Sequence, residues 1–112
     1  MRHTSNQQGA VTVFQVEGAM VRSALNSLTD SLRARSSSGQ PRLLLDLTAV
    51  STIDSATLEM LSELQENCRK RGGVLKLTGL NPLCLEIMKI TGLQRRFEIF
   101  DNQLTALGSF AA

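Results

Sequence analysis

The sequence is poor in the residues that most protein chemistry needs. Its 112 residues include two cysteines and one histidine. Cys68 and Cys84 are too few for a disulfide framework. Each falls in a helical pattern and is expected to be a small buried side chain, kept as a thiol by a reducing cytoplasm. With His3 remote in the sequence, they do not assemble the tetrahedral ligand set of a structural zinc site, and no metal or other cofactor is expected. Four phenylalanines are the only aromatics, too few to stack single-stranded nucleic acid. The formal charge is only +2, and Lys and Arg are scattered apart from "RKR" at 69–71 and "RR" at 95–96. These read as a helix C-terminus, where cations complement the helix dipole, and a surface turn. Direct nucleic-acid binding is not expected.

Longer signals are missing too. No apolar run approaches the ~20 residues of a membrane span, and "MRHTSNQQGA" lacks the charged-then-apolar layout of a secretory signal. The expectation is a cytoplasmic protein that does not insert into membranes. There is no G-x-x-x-x-G-K, and no G-x-G-x-x-G follows a strand. Ser55 has no G-x-S-x-G elbow around it and no imidazole nearby in sequence. A receiver-type acidic pair is absent, since "QVEGAM" offers only Glu17. The chain is therefore not expected to be an enzyme.

What the sequence does hold is 42% hydrophobic and 20% charged residues, the balance of a soluble globular chain long enough for one core. A single domain over residues 1–112 is expected, with no internal repeat. "RHTSN" reads as an edge strand, "QQG" as a turn and "AVTVFQVEG" as a second strand. From Val21 the period changes, and Val21, Leu25, Leu28 and Leu32 mark one face of a helix. "RARSSSGQP" is a loop ending at Pro41. "RLLLDL" is too apolar to have a wet face and reads as a central strand covered on both sides. The loop "TAVSTI" leads to Asp54, placed as the N-cap of a helix. That helix buries Leu58, Leu61, Leu64 and Cys68, keeps Glu59, Glu63, Glu66 and Arg69 wet, and stops at "RGG".

"VLKLTG" alternates as a half-buried strand. Asn81 caps a third helix with Pro82 at its first position and Gly92 as terminator, and Met88 and Ile90 are assigned to the core. "FEIF" is a last strand, and Asp101 caps a final helix carrying Leu104 and Leu107. The order β-β-α-β-α-β-α-β-α predicts an α/β fold, a mostly parallel mixed sheet with an antiparallel N-terminal edge and about four helices.

Two long stretches, "RLLLDLTAVSTIDSATLEML" and "RKRGGVLKLTGLNPLCLEIMKITGLQRRFEIFD", resemble the STAS domains of bacterial anti-sigma factor antagonists. The resemblance covers roughly residues 10 to 108. It implies a protein-binding regulator of transcription that docks on an anti-sigma factor, itself a serine kinase, and so frees the sigma factor. It also implies that Ser55, opening the second helix beside Asp54, is the phosphorylation site, reset by a phosphatase. The implied partner surface is Thr48, Asp54, Ser55, Ala56 and Thr57. The sequence departs from the family's D-S-[ST]-G-L at Ala56 and Thr57, where Thr57 is expected to crowd an approaching molecule. It also has Val21 where the family tends to carry an aspartate. Both departures are expected to weaken the switch. The competing reading is of a STAS subunit docking on an ATPase or transporter of a membrane transport system without phosphorylation. A nucleotide-binding module rests on fold analogy alone. The sequence does not indicate the oligomeric state.

Overall fold

The computed structural model describes residues 1–111. Five strands lie in their chain order in one sheet: β1 (Arg2–Gln8), β2 (Val11–Met20), β3 (Arg42–Ile53), β4 (Val74–Thr78) and β5 (Ile99–Phe100). β1 pairs antiparallel to β2, and all other pairs are parallel. The sheet grows in one direction from β2 to β5. Crossovers of one hand then place every connecting helix on the same face. Those helices are α1 (Asn26–Ser36), α2 (Ser55–Lys70) and α3 (Pro82–Ile90). A fourth, α4 (Gln103–Ser109), follows the last strand and folds back over the opposite face.

The two faces carry unequal cores. On the three-helix face, Phe14, Val16, Leu43, Leu45, Leu47 and Leu77 of the sheet pack with Leu28, Leu32, Leu58, Leu61, Cys84 and Met88 of the helices. On the other face, Val11, Val13 and Leu44 meet Ala106, Leu107 and Phe110. "RLLLDL" is thus buried on both sides, as its composition predicts. The expected order of elements, the caps at Asp54 and Asn81 and the buried thiols of Cys68 and Cys84 are all present.

Several local expectations are corrected. Val21 is extended and precedes a short 3-10 turn (Arg22–Ala24), so α1 begins only at Asn26. "TAVSTI" is not a loop, because β3 runs on to Ile53 against β2, with register shifts after Gln15 and Gly18. "VLKLTG" is not half-wet: α4 covers its second face, and Lys76 is only 6% exposed. Its ammonium reaches Ser109 Oγ at 2.9 Å and Glu98 at 3.3 Å and sits 4.4 Å from the centre of the Phe110 ring. Asn102, not Asp101, caps α4. Of "FEIF" only Ile99 and Phe100 pair as strand. Ile90, assigned to the core, is 76% exposed.

β3 outruns β4, whose pairing stops at Asp46 opposite Thr78. Gly79 makes the exit possible. Its φ of 78° suits only glycine, and a Cβ there would stand 2.2 Å from Thr48 Oγ1. Side-chain amides then satisfy backbone groups that no strand reaches. Asn81 Nδ2 donates to the Val50 and Ser51 carbonyls, and Gln65 Oε1 accepts from the Leu75 N–H.

Candidate functional site

The start of α2 lies at the end of β3, and its geometry is set by two residues. Asp54 is extended, as an N-cap must be. Its Oδ1 accepts from the Thr57 N–H at 2.8 Å and the Thr57 hydroxyl at 2.7 Å, and its Oδ2 accepts from the Arg22 N–H at 2.9 Å. The Arg22 amide is the chief reason the Asp54 carboxyl is held below the ordinary range, followed by the Thr57 hydroxyl and amide. Charge-assisted bonds of this kind favour the ionised form. Asp54 also donates its own N–H to the Met20 carbonyl.

Thr57 departs from the sequence reading. It is 0% exposed, and its hydroxyl lies 2.7 Å from both the Met20 carbonyl and Asp54 Oδ1. A residue so placed cannot crowd a visitor. It fills the space under the first turn and ties α2 to the end of β2. Val21, where the sequence lacks the expected aspartate, lies between Met20 and Arg22, whose backbone groups bind Thr57 and Asp54.

Ser55 is the first residue of α2 and is exposed. Among the described residues its hydroxyl makes no hydrogen bond, whereas the polar groups of Asp54 and Thr57 are engaged internally. Ser55 lines a shallow groove with Leu58, Ser62, Thr91, Leu93 and Arg96. Ala56, half-buried, lines another on the α1 side with Arg22, Leu25 and Met60. Glu59 and Glu63 border both. Nothing in the sequence points to Arg22, which acts through its backbone from 32 residues away. The same holds for Ser62, whose buried hydroxyl lacks a partner among the described residues.

The structure brings Asp54, Ser55, Ala56 and Thr57 together but leaves Thr48 apart. Thr48 lies some way back along β3, about 17 Å from its end at 3.3 Å per residue. It binds Asp46 and borders the opposite, polar face of the sheet with Arg2, Gln15 and Glu17. Among the described residues no cluster of His, Cys, Asp and Glu suits a metal ion, and no helix is long and apolar enough to cross a membrane.

Comparison with known proteins bears on the fold. A family model described as "Mlab, STAS domain" matches residues 3–104. Among solved structures, an anti-sigma factor antagonist from Mycobacterium paratuberculosis superposes with a TM-score of 0.88 at 22% identity, covering 99% of this chain and 94% of that one. A putative anti-sigma factor antagonist from Thermotoga maritima gives 0.91 at 17% identity, with 98% and 95% covered. A sulfate transporter family protein from Wolinella succinogenes gives 0.74 at 23% identity, with 89% and 84% covered. At these identities the likeness is one of fold. Among curated proteins, none matches the sequence.

Proposed function

Because the chain belongs to the family described as "Mlab, STAS domain", we propose that it is a regulatory binding module, an anti-sigma factor antagonist whose contact surface is the start of α2. The observation that carries this reading is the contrast at that helix start. Ser55 is exposed and unengaged, while Asp54 and Thr57 hold the turn beneath it in place. A rigid platform with one free hydroxyl is what a partner can grip and a kinase can modify.

Phosphorylation there adds about −1.5 to −2 charges and three acceptor oxygens. The chain itself tolerates the group, since the unpaired amides and dipole of the first turn favour an anion. A docked partner does not tolerate it, because the hydrated phosphate beside ionised Asp54 must be stripped of water. A cost of about 3 kcal/mol weakens binding about a hundredfold. The fold stays as it is; only the interface is lost.

The test is capture of a small ATP-binding anti-sigma factor by the wild type, Ser55→Ala and Ser55→Asp. Wild type and Ser55→Ala are expected to bind, Ser55→Asp to bind about a hundredfold less, and the wild type alone to gain one phosphate by intact mass with ATP and a serine kinase. Equal capture of all three removes the switch.

A second reading has its own support. The matched family model carries the description Mlab, and the fold is shared with a sulfate transporter family protein. Ala56 and Thr57 also depart from the phosphorylated junction. In this reading the same platform docks on an ATPase or transporter of a membrane transport system, with no kinase involved. Binding to such a partner that is indifferent to ATP and a serine kinase supports it over the first.

A further inference from the structure

Cations that are scattered in the sequence are gathered by the fold. The parallel strands start at one end of the sheet, and the helices that connect them finish there. Arg33 and Arg35 lie in the last turn of α1, Arg69 and Lys70 lie in the last turn of α2, and Arg71 is its C-cap. Arg42 opens β3 opposite Val74, just past that cap. All six residues are exposed, and Arg33, Lys70 and Arg71 border one shallow groove with Ser36, Ser37 and Asn67. Among the described residues none of the six makes an ion pair; the pairs Arg2–Glu17 and Lys76–Glu98 lie elsewhere. Asp30, Glu63 and Glu66 stand about a turn further up the same helices and bind none of them. Helix dipoles account for cations at helix ends, but not for Arg42, which begins a strand. Nor do they account for six unpaired cations at one end of a chain whose net charge is only +2.

We propose that this end is a peripheral membrane-contact surface, held by charge attraction on a bilayer rich in anionic lipid headgroups. This goes beyond the reading of Ser55 and does not depend on it. The backbone beneath the cations favours a headgroup plane over a nucleic acid. Tight phosphate contacts draw on backbone N–H groups and helix N-termini as well as on side chains. Here α1 and α2 end with their carbonyls and the negative poles of their dipoles facing outward, so a phosphodiester pressed against the backbone is repelled. Attraction to a charged bilayer needs no such contact. It acts within a screening length, about 8 Å at physiological salt, and each Lys or Arg near the surface adds to it. The acids near Ser55 do not cancel it. Asp54 and Glu59 lie toward the other end of α2, about 16 to 24 Å from Lys70 at 1.5 Å per residue, at least two screening lengths away. The same asymmetry orients the bound chain, with the basic end on the lipid and Ser55 turned toward solution.

Flotation of the full chain with vesicles tests this, comparing phosphatidylglycerol mixed into phosphatidylcholine with phosphatidylcholine alone. The wild type is expected to float with the anionic vesicles at low salt, to be released by high salt and to ignore the neutral ones. Arg35→Gln, Lys70→Gln and Arg71→Gln, all at exposed positions, are each expected to weaken binding about fivefold, and the three together about a hundredfold. Arg2→Gln removes the same charge toward the other end of the sheet and is expected to leave binding unchanged. A chain that fails to float with anionic vesicles at low salt overturns the proposal. Equal weakening by Arg2→Gln overturns it too, because binding then follows net charge and not this surface. Tighter retention by a random-sequence DNA duplex than by the vesicles, at matched phosphate concentration, overturns it and assigns the basic end to nucleic acid.

Discussion

The Asp54 carboxylate is bound by the Arg22 amide and by the amide and hydroxyl of Thr57, and a pH dependence follows. Its folded-state pKa lies below the ordinary value, chiefly through the Arg22 amide. Its stabilisation is therefore complete above about pH 4 and is lost as pH falls through the lowered native value. Asp54→Ala is expected to cost about 1–2 kcal/mol at neutral pH, the range of a lost N-cap. The gap between variant and wild type should close toward pH 2, as read by urea denaturation across a pH series. At this scale the caps at Asp54 and Asn81 were legible in the sequence, because a cap is a local pattern of a polar residue ahead of an apolar period, while at α4 the pattern pointed to Asp101, one residue short of Asn102. Thr57 was not legible. Its burial depends on the Met20 carbonyl, 37 residues away, and no window of sequence holds both. Ile90 was misjudged for a related reason: helical spacing finds a stripe but not what covers it.

Among the elements, the tightest joint is between α2 and β4. The Gly73 α-carbon faces the Pro41 carbonyl so closely that a Cβ would stand 2.0 Å from its oxygen. That same oxygen accepts from the Val74 N–H at 2.8 Å. Gly73→Ala must push backbone from backbone where no flexible side chain can yield. It is expected to lower stability by about 1–3 kcal/mol, as overpacking does, measured as a fall in the denaturation midpoint at unchanged slope. The double-glycine stop was readable; the reason for its second glycine was not, because Pro41 belongs to another strand's entry. The strand patterns show the same division. "RLLLDL" declared its two covered faces through composition. "VLKLTG" concealed them, since Lys76 is buried only because α4 brings Ser109 and Phe110 to its ammonium.

At the scale of the whole molecule, the unequal cores predict an order of opening. The three-helix face holds most of the buried apolar side chains, while α4 rests on the small cluster around Val11, Val13 and Leu44. Hydrogen exchange is expected to release α4 amides well before those of α2, because local opening follows the buried contacts that must be broken. Phe110→Ala should hasten exchange in α4 and leave α2 unchanged; equal acceleration in both helices contradicts independent opening. The architecture itself was legible, because alternating strand and helix periods leave few ways to build a sheet. How far β3 outruns its neighbour was not.

That overhang has a mechanical meaning. Beyond the reach of β4, the strand is held on its bare side by the amide of Asn81, which also receives the Cys84 N–H and so starts α3. The strand ends at Ile53, and Asp54 alone separates it from Ser55. One side chain thus rivets the roots of two helices to a common beam.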